Sequence, residues 1–299
     1  MFTPHISVCI CTYRRPEMLR RLLEKLEIQD VDDGRFDYSV VVADNDKARS
    51  AEGLVADFKN NSTLDLTYCS QPERNIALTR NASIANARGD LIAFIDDDEF
   101  PGPDWLLKLL QTLESGSAVA ILGPVYPHFE TPPPDWVVKG RFCERPKYPT
   151  GTSVAWDDCR TGNVLFRREI IPDDKPPFRE EFGTGGEDKD FFRRLAEDGY
   201  TFAWCNEAPV SESVPASRLT RKYMLQRALL RGQNSLKISK GRLLALLKTS
   251  IALPLYLVIA PIVLLSGQPN FMNLSIRFCD HLGRFLALTR VHVISERKM

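Results

Sequence analysis

The chain has 299 residues, 43% hydrophobic and 26% charged, with 39 basic side chains against 39 acidic ones. This is the profile of an ordinary globular protein with one large or two modest domains, and it excludes a disordered or fibrous chain. Because the net charge cancels, no global field draws nucleic acid, and function has to be sought in local placement.

In chain order, ISVCIC (6–11) reads as a buried strand, followed by a helix opening at Pro16 with Leu19, Leu22, Leu23 and Leu26 at helical spacing. YSVVVA (38–43) is a second strand, ending in Asp44, Asn45 and Asp46. Residues 50–59 suit a helix, LDLTYC (64–69) a third strand, and the alanine-rich IALTRNASIANAR (76–88) a further helix. Gly89 and Asp90 turn the chain into the strand LIAFI, and Pro101 and Pro103 open a helix that closes at Gly116. Seven prolines between 124 and 149 then predict an extended, irregular region folding over the sheet edge. RTGNVLFRR (160–168) is expected to hold a strand, GGEDKDFFRRLAEDG a loop and helix, and TFAWCN a last short strand.

Strands alternating with helices predict βαβ units, an α/β fold and a mostly parallel sheet. Ligands of such sheets sit at the carboxyl ends of the strands. Three polar loops should converge there: Thr12 to Arg15, Asp44 to Asp46, and Asp96 to Glu99. In the last, four like charges on adjacent residues repel unless something positive joins them. One aspartate of such a run can hydrogen-bond a ribose hydroxyl while another holds a hard divalent cation through oxygen. That cation would neutralise a diphosphate leaving group.

Seven scattered cysteines without CxxC spacing argue against a zinc site or a disulfide framework and fit reduced thiols in a cytosolic compartment. The N-terminal MFTPHISVCICTYRRP has no charged region followed by a long apolar one, so no signal peptide is expected. Between Lys248 and Arg277 no charged residue occurs, and SIALPLYLVIAPIVLLSG (250–267) approaches the length of a membrane span, with Pro254 and Pro261 inside it. Basic residues flank both sides (Lys237, Lys240, Arg242 and Lys248, then Arg277, Arg284 and Arg290), which favours a re-entrant or in-plane element over a simple span. A buried core helix is the alternative.

Taken together, TYRRP, VVADN, RNIALTRNASIANARGD, FIDDDE, RTGNVLFRR and GGEDKDFFRRL resemble the family 2 glycosyltransferases with the GT-A fold, from Ile6 to Gln233. Within that family they resemble the β-1,4-glucosyltransferase type of succinoglycan assembly. The resemblance implies that Thr12, Tyr13 and Arg14 border the donor nucleotide, that Asp44 pairs with uracil, and that Arg80 lies near the base or diphosphate. It places Asp96 at the ribose or sugar, Asp97 in the donor-nucleotide site, and Asp98 on Mn2+ or Mg2+. Asp188 would be the general base for an acceptor hydroxyl, with Glu187 binding acceptor or orienting the loop. Many members carry a histidine after the last strand of the catalytic domain; APVSESVP offers Glu212 as the metal ligand instead. Arg227 and Arg231, one helical turn apart, would offset that negative charge by gripping the diphosphate.

The implied enzyme is an inverting, metal-dependent hexosyltransferase. It would use a UDP-sugar and a glycan or lipid-linked acceptor at the cytoplasmic face of the inner membrane, in polysaccharide assembly, with no nucleic-acid partner. The implied division is a nucleotide-sugar half (1–115), an acceptor and catalytic half (116–235) and a helical membrane-associated region (236–299). Two rival readings remain. A nucleotidyltransferase should show a glycine-rich, lysine-bearing loop after the first strand, and TYRRP has neither. A membrane-anchored nucleotide-sugar-binding scaffold would not need both Asp98 and Asp188.

Overall fold

The computed structural model describes residues 3–172, 174–238 and 241–288. Lys240 and Arg290, two of the basic flanks named above, lie outside the described residues. The chain forms two compact units, the first made of Met1–Tyr126, Arg145–Gly183 and Glu187–Glu212, the second of Pro127–Glu144, Thr184–Gly186 and Ser213–Met299.

The elements follow in order as β1 (His5–Thr12), α1 (Pro16–Glu27), β2 (Asp37–Asp44), α2 (Glu52–Asn61), β3 (Leu66–Ser70), α3 (Ile76–Asn86), β4 (Leu91–Phe94), β5 (Glu99–Pro101) and α4 (Trp105–Ser115). β6 (Ala120–Leu122) follows, and the stretch expected to be irregular contains β7 (Val125–Phe129) and α5 (Asp135–Gly140). Beyond it come β8 (Val164–Arg167), α6 (Glu187–Glu197), β9 (Phe202–Trp204) and β10 (Val210–Val214). Three helices follow, α7 (Arg221–Ile238), α8 (Arg242–Leu265) and α9 (Gln268–Leu286).

In the first unit a seven-stranded sheet has the order β3-β2-β1-β4-β8-β6-β9. β1, β2, β3 and β4 pair in parallel, β6 pairs in parallel with β9, and β8 runs against both its neighbours. Central strands of a sheet covered on both faces need apolar side chains on both, and β1 and β2 show it. Ile6, Val8, Ile10, Val40 and Val42 face one core with Leu19, Leu22 and Leu23 of α1 and Trp105, Leu106 and Leu109 of α4. Cys9, Val41, Ile92 and Phe94 face the other, with Ile84 of α3 and Phe191 and Phe192 of α6. All seven cysteines are free.

The second unit has its own small core of Val137, Val214 and Leu219, with Trp136, Phe142 and Met224 against it. Here α8 is continuous through Pro254 and Pro261. Its apolar window, of mean hydropathy 2.0, is only 6% buried, so it is not a core helix among the described residues.

Candidate active site

The strand order puts the loops after β1, β2 and β4 side by side, and their side chains interlock. Thr12 Oγ1 donates to Asp97 Oδ2 at 2.8 Å, and Arg15 Nη1 donates to Asp97 Oδ1 and to Asp98 Oδ2, both at 3.0 Å. Asn45 N donates to Thr12 O at 2.9 Å, closing the β1 and β2 loops on each other. Arg14, in the left-handed region at φ 54°, makes a two-point pair with Asp46 at 3.1 and 3.2 Å. The Tyr13 ring lies between the guanidinium groups of Arg14 (5.1 Å) and Arg74 (4.9 Å).

Asp44 is fully buried and works inside its own loop, accepting from Asp46 N at 2.9 Å, Ala51 N at 2.8 Å and the Tyr68 hydroxyl at 3.2 Å. These bonds use three of the carboxylate's roughly four acceptor sites, one on Oδ1 and two on Oδ2. Asn45 and Asn75 carry the frame onward. Asn45 Nδ2 donates to Gln71 O, Asn75 N donates to Asn45 Oδ1, and Asn75 Oδ1 caps α3 by accepting from Ala77 N and Leu78 N.

Beyond β4 the four carboxylates part company. Asp96 is the exposed one, with 43% of its side chain in solvent, while Asp97, Asp98 and Glu99 are buried. Burial pushes the Asp97 carboxyl up to about 6, with Asp98 and Asp96 adding to the rise and Arg15 and Thr12 opposing it. Burial likewise holds Glu99 well above the usual carboxylate range, helped by Asp96, Glu212 and Asp98 and opposed by Arg145. β5 pairs with β10 so that Glu99 faces Glu212, and Arg145 sits with them, 2.6 Å from Glu212 and 3.6 Å from Glu99 Oε1.

RTGN supplies the floor. A Cβ on Gly162 would fall 2.7 Å from Glu99 Oε1, so only glycine lets that carboxylate settle. Asn163 accepts from Trp105 Nε1 and donates to Pro124 O and Ala208 O, tying β6, β8 and α4 together.

GGED reaches the acidic tip through one side chain. Arg80, on α3 and only 6% exposed, pairs with Glu187 through Nη1 and approaches Asp96 Oδ1 to 3.6 Å through Nη2. Glu187 is 2% exposed and its Oε2 has no hydrogen-bond partner among the described residues. The next residue, Asp188, is half-buried and accepts a hydrogen bond from Lys189 N at 2.7 Å. Thus Arg15 joins Asp97, which Thr12 also bonds, to Asp98, and Arg80 joins Asp96 to Glu187, while Asp188 follows Glu187 in the first turn of α6. Arg227 and Arg231 lie on α7 in the second unit, where Arg227 is exposed and Arg231 makes a two-point pair with Asp280.

The sequence matches Glycosyl transferase family 2 over residues 7–173. It is 38% identical to the succinoglycan biosynthesis protein ExoM of Rhizobium meliloti strain 1021, over 81% of this chain and 76% of that one. The chain belongs to glycosyl transferase family 2. Its fold is that of the GT-A members. The mannosyltransferase PcManGT of Pyrobaculum calidifontis, solved with GDP-Man and Mn2+, superposes with a TM-score of 0.68 at 18% identity, covering 96% of this chain and 88% of that one. Residues 1–349 of S. aureus TarS, solved with UDP-GlcNAc, give 0.56 at 17% identity, over 76% of this chain and 66% of that one.

Two cations of this family 2 site were not singled out from the sequence. Arg15 bridges Asp97 and Asp98, and Arg145 sits between Glu99 and Glu212. Arg15 was visible in TYRRP as the second arginine of a post-strand loop. Arg145 gave no signal, because it lies among prolines 46 residues from its nearer partner, Glu99.

Proposed function

We propose that this glycosyltransferase moves a hexose, with glucose favoured, from a UDP-sugar to a glycan acceptor carried on a lipid. It would invert the anomeric centre and act in cell-surface polysaccharide assembly at the cytoplasmic face of the inner membrane. The observation that carries the reading is the Arg80 link, because it joins the acidic tip after β4 to the start of α6, where Asp188 stands. The likeness to the succinoglycan protein supports the polysaccharide context.

In this reading Asp188 takes the proton of the attacking hydroxyl as its oxygen bonds to the anomeric carbon. The bond from that carbon to the UDP oxygen breaks on the opposite face, and UDP leaves. Thr12, Tyr13 and Arg14 border the nucleotide, Asp44 pairs with the uracil, Asp96 meets the ribose or sugar, and Asp97 belongs to the donor-nucleotide site. Arg227 and Arg231 are the proposed diphosphate grip, for which Arg231 would have to release Asp280.

The acidic tip fits a hard divalent cation. Its donors are all carboxylate oxygens, and Glu99 Oε1 is buried without a hydrogen-bond partner. No group of three or more His, Cys, Asp or Glu side chains that could hold a metal occurs among the described residues. Asp98 and Glu212 would therefore supply the protein's share, turning from Arg15 and Arg145 to the ion, and substrate phosphates the rest, as is usual for Mg2+. When bound, the ion would neutralise the charge that develops on the departing diphosphate. Titration calorimetry of UDP with Mn2+ tests this assignment. Asp98→Asn should weaken metal-dependent UDP binding by on the order of tenfold or more, and unchanged affinity with unchanged metal dependence would remove Asp98 from the site.

A further inference from the structure

α8 has 24 residues, about 36 Å at 1.5 Å per residue, so its length and hydropathy would let it cross a bilayer. Its neighbours in the second unit point elsewhere. α9 runs beside α7 in the same direction. Arg221 of α7 donates to Gln268 of α9 at one end, and at the other Arg231 pairs with Asp280 and Arg284 Nε donates to Ser235 Oγ at 3.2 Å. The two backbones are in close contact, since a Cβ on Gly232 would meet Asp280 O at 2.1 Å and one on Gly283 would meet Leu229 O at 2.2 Å.

α8 turns back at Ser266 and Gly267 to lie on α9, with Thr249 Oγ1 2.9 Å from His281 Nδ1 and the Tyr256 ring edge-on to the same imidazole. Arg221 and Lys222 therefore stand near the C-terminal end of α8, and Arg242 and Lys248 mark its N-terminal end. Standing α8 upright in a membrane would carry the charges of α7 into hydrocarbon, where each is costly.

The other side of α8 has no such charges past Lys248. Leu247, Ile251, Leu255, Val258, Ile262 and Leu265 recur every three or four residues along one line and are 53–89% exposed. A surface helix in water carries polar residues on that line, and a helix apolar on its outward side needs an apolar neighbour. Charge identifies the neighbour. Residues 221–288 hold ten Lys or Arg and a single acid, Asp280, although the whole chain is balanced. A second copy of this basic helical segment would bring like charge against like, whereas anionic lipid headgroups complement the charge that flanks the apolar row.

We propose that α8 lies in the plane of a bilayer, its outward row sunk to one shallow depth among the acyl chains, and does not span it. This rests on the membrane attachment proposed above. The test uses the full-length protein and vesicles of phosphatidylcholine and phosphatidylglycerol. Ile251→Trp, Val258→Trp and Leu265→Trp each place an indole on an exposed position, and the signal of the four native tryptophans is subtracted using the unsubstituted protein.

All three indoles should be quenched alike, and more strongly by lipid brominated near the headgroup than by lipid brominated deep in the chain. Binding should be on the order of tenfold or more stronger with anionic than with neutral vesicles. A deep Val258→Trp between shallow Ile251→Trp and Leu265→Trp would mean a span and would overturn the in-plane inference while leaving attachment intact. Failure of the protein to float with vesicles would overturn attachment itself. A lipid-free dimer that shields all three indoles and does not float would assign the face to a second copy.

Discussion

At the scale of single residues, Arg80 decides how the site holds together. The sequence marks it as a neighbour of the nucleotide, yet its guanidinium is buried between Glu187 and Asp96. Replacing it would leave Glu187 as a buried carboxylate without its cation, and the loop leading into α6 would have to shift. A displacement of about 1 Å at a reacting group can cost on the order of 100-fold in rate. Arg80→Met should therefore lower kcat by about that factor while the Kd for UDP changes by less than about threefold. Arg80→Met combined with Glu187→Gln should recover part of the loss. Weakened UDP binding with kcat preserved would instead make Arg80 a nucleotide contact. The acids of this framework were legible because each sits in a run beside a strand end or a helix start. Arg15 was visible as a loop cation, but its ion pairs were not, nor was Arg145, because an ion pair between residues tens of positions apart leaves no periodic trace.

At the scale of elements, α6 is fixed by one buried carboxylate. Asp190 is fully buried and bonded to Arg179, Arg193 and Arg194, with Arg179 Nε at 2.8 Å and Arg194 Nε at 2.9 Å. Burial alone would raise its pKa, but Arg179, Arg194 and Arg193 together hold it below its ordinary 3.8. A carboxyl with a depressed native pKa contributes its stability above the unfolded value and loses it as pH falls through the folded one. Asp190→Asn should therefore cost about 3 kcal/mol at neutral pH, the scale for breaking a buried pair. Urea midpoints should show that deficit constant from about pH 7 to 5 and shrinking below pH 3.8. A deficit independent of pH down to 3 would count against the clamp.

The long amphipathic helices α1 and α4 and the apolar strands β1, β2 and β4 were readable from period and composition, as was the mostly parallel α/β sheet. β5, β6 and β10 were not, because strands of three to five residues carry too little pattern to separate from loop. The reversed direction of β8 was equally hidden, since a parallel and an antiparallel buried strand share one composition.

Over the whole molecule, the chain has a sheet-based unit and a basic helical unit that carries an exposed apolar helix. The sequence announced the apolar segment by its missing charges. Its relation to α9 and α7 depends on the Gly232 and Gly283 contacts, which no apolar pattern foretells. In the proposed reaction Asp188 activates an acceptor hydroxyl for attack on a UDP-sugar. The direct measurement is UDP release from UDP-glucose with Mn2+ and a lipid-linked glycan acceptor, comparing the wild type with Asp188→Asn. The wild type should show acceptor-dependent UDP release and Asp188→Asn a loss of about 100-fold or more, with UDP affinity nearly unchanged. An Asp188→Asn enzyme that kept more than about a tenth of wild-type turnover would contradict that role, leaving that carboxylate a helix-end residue and the base elsewhere.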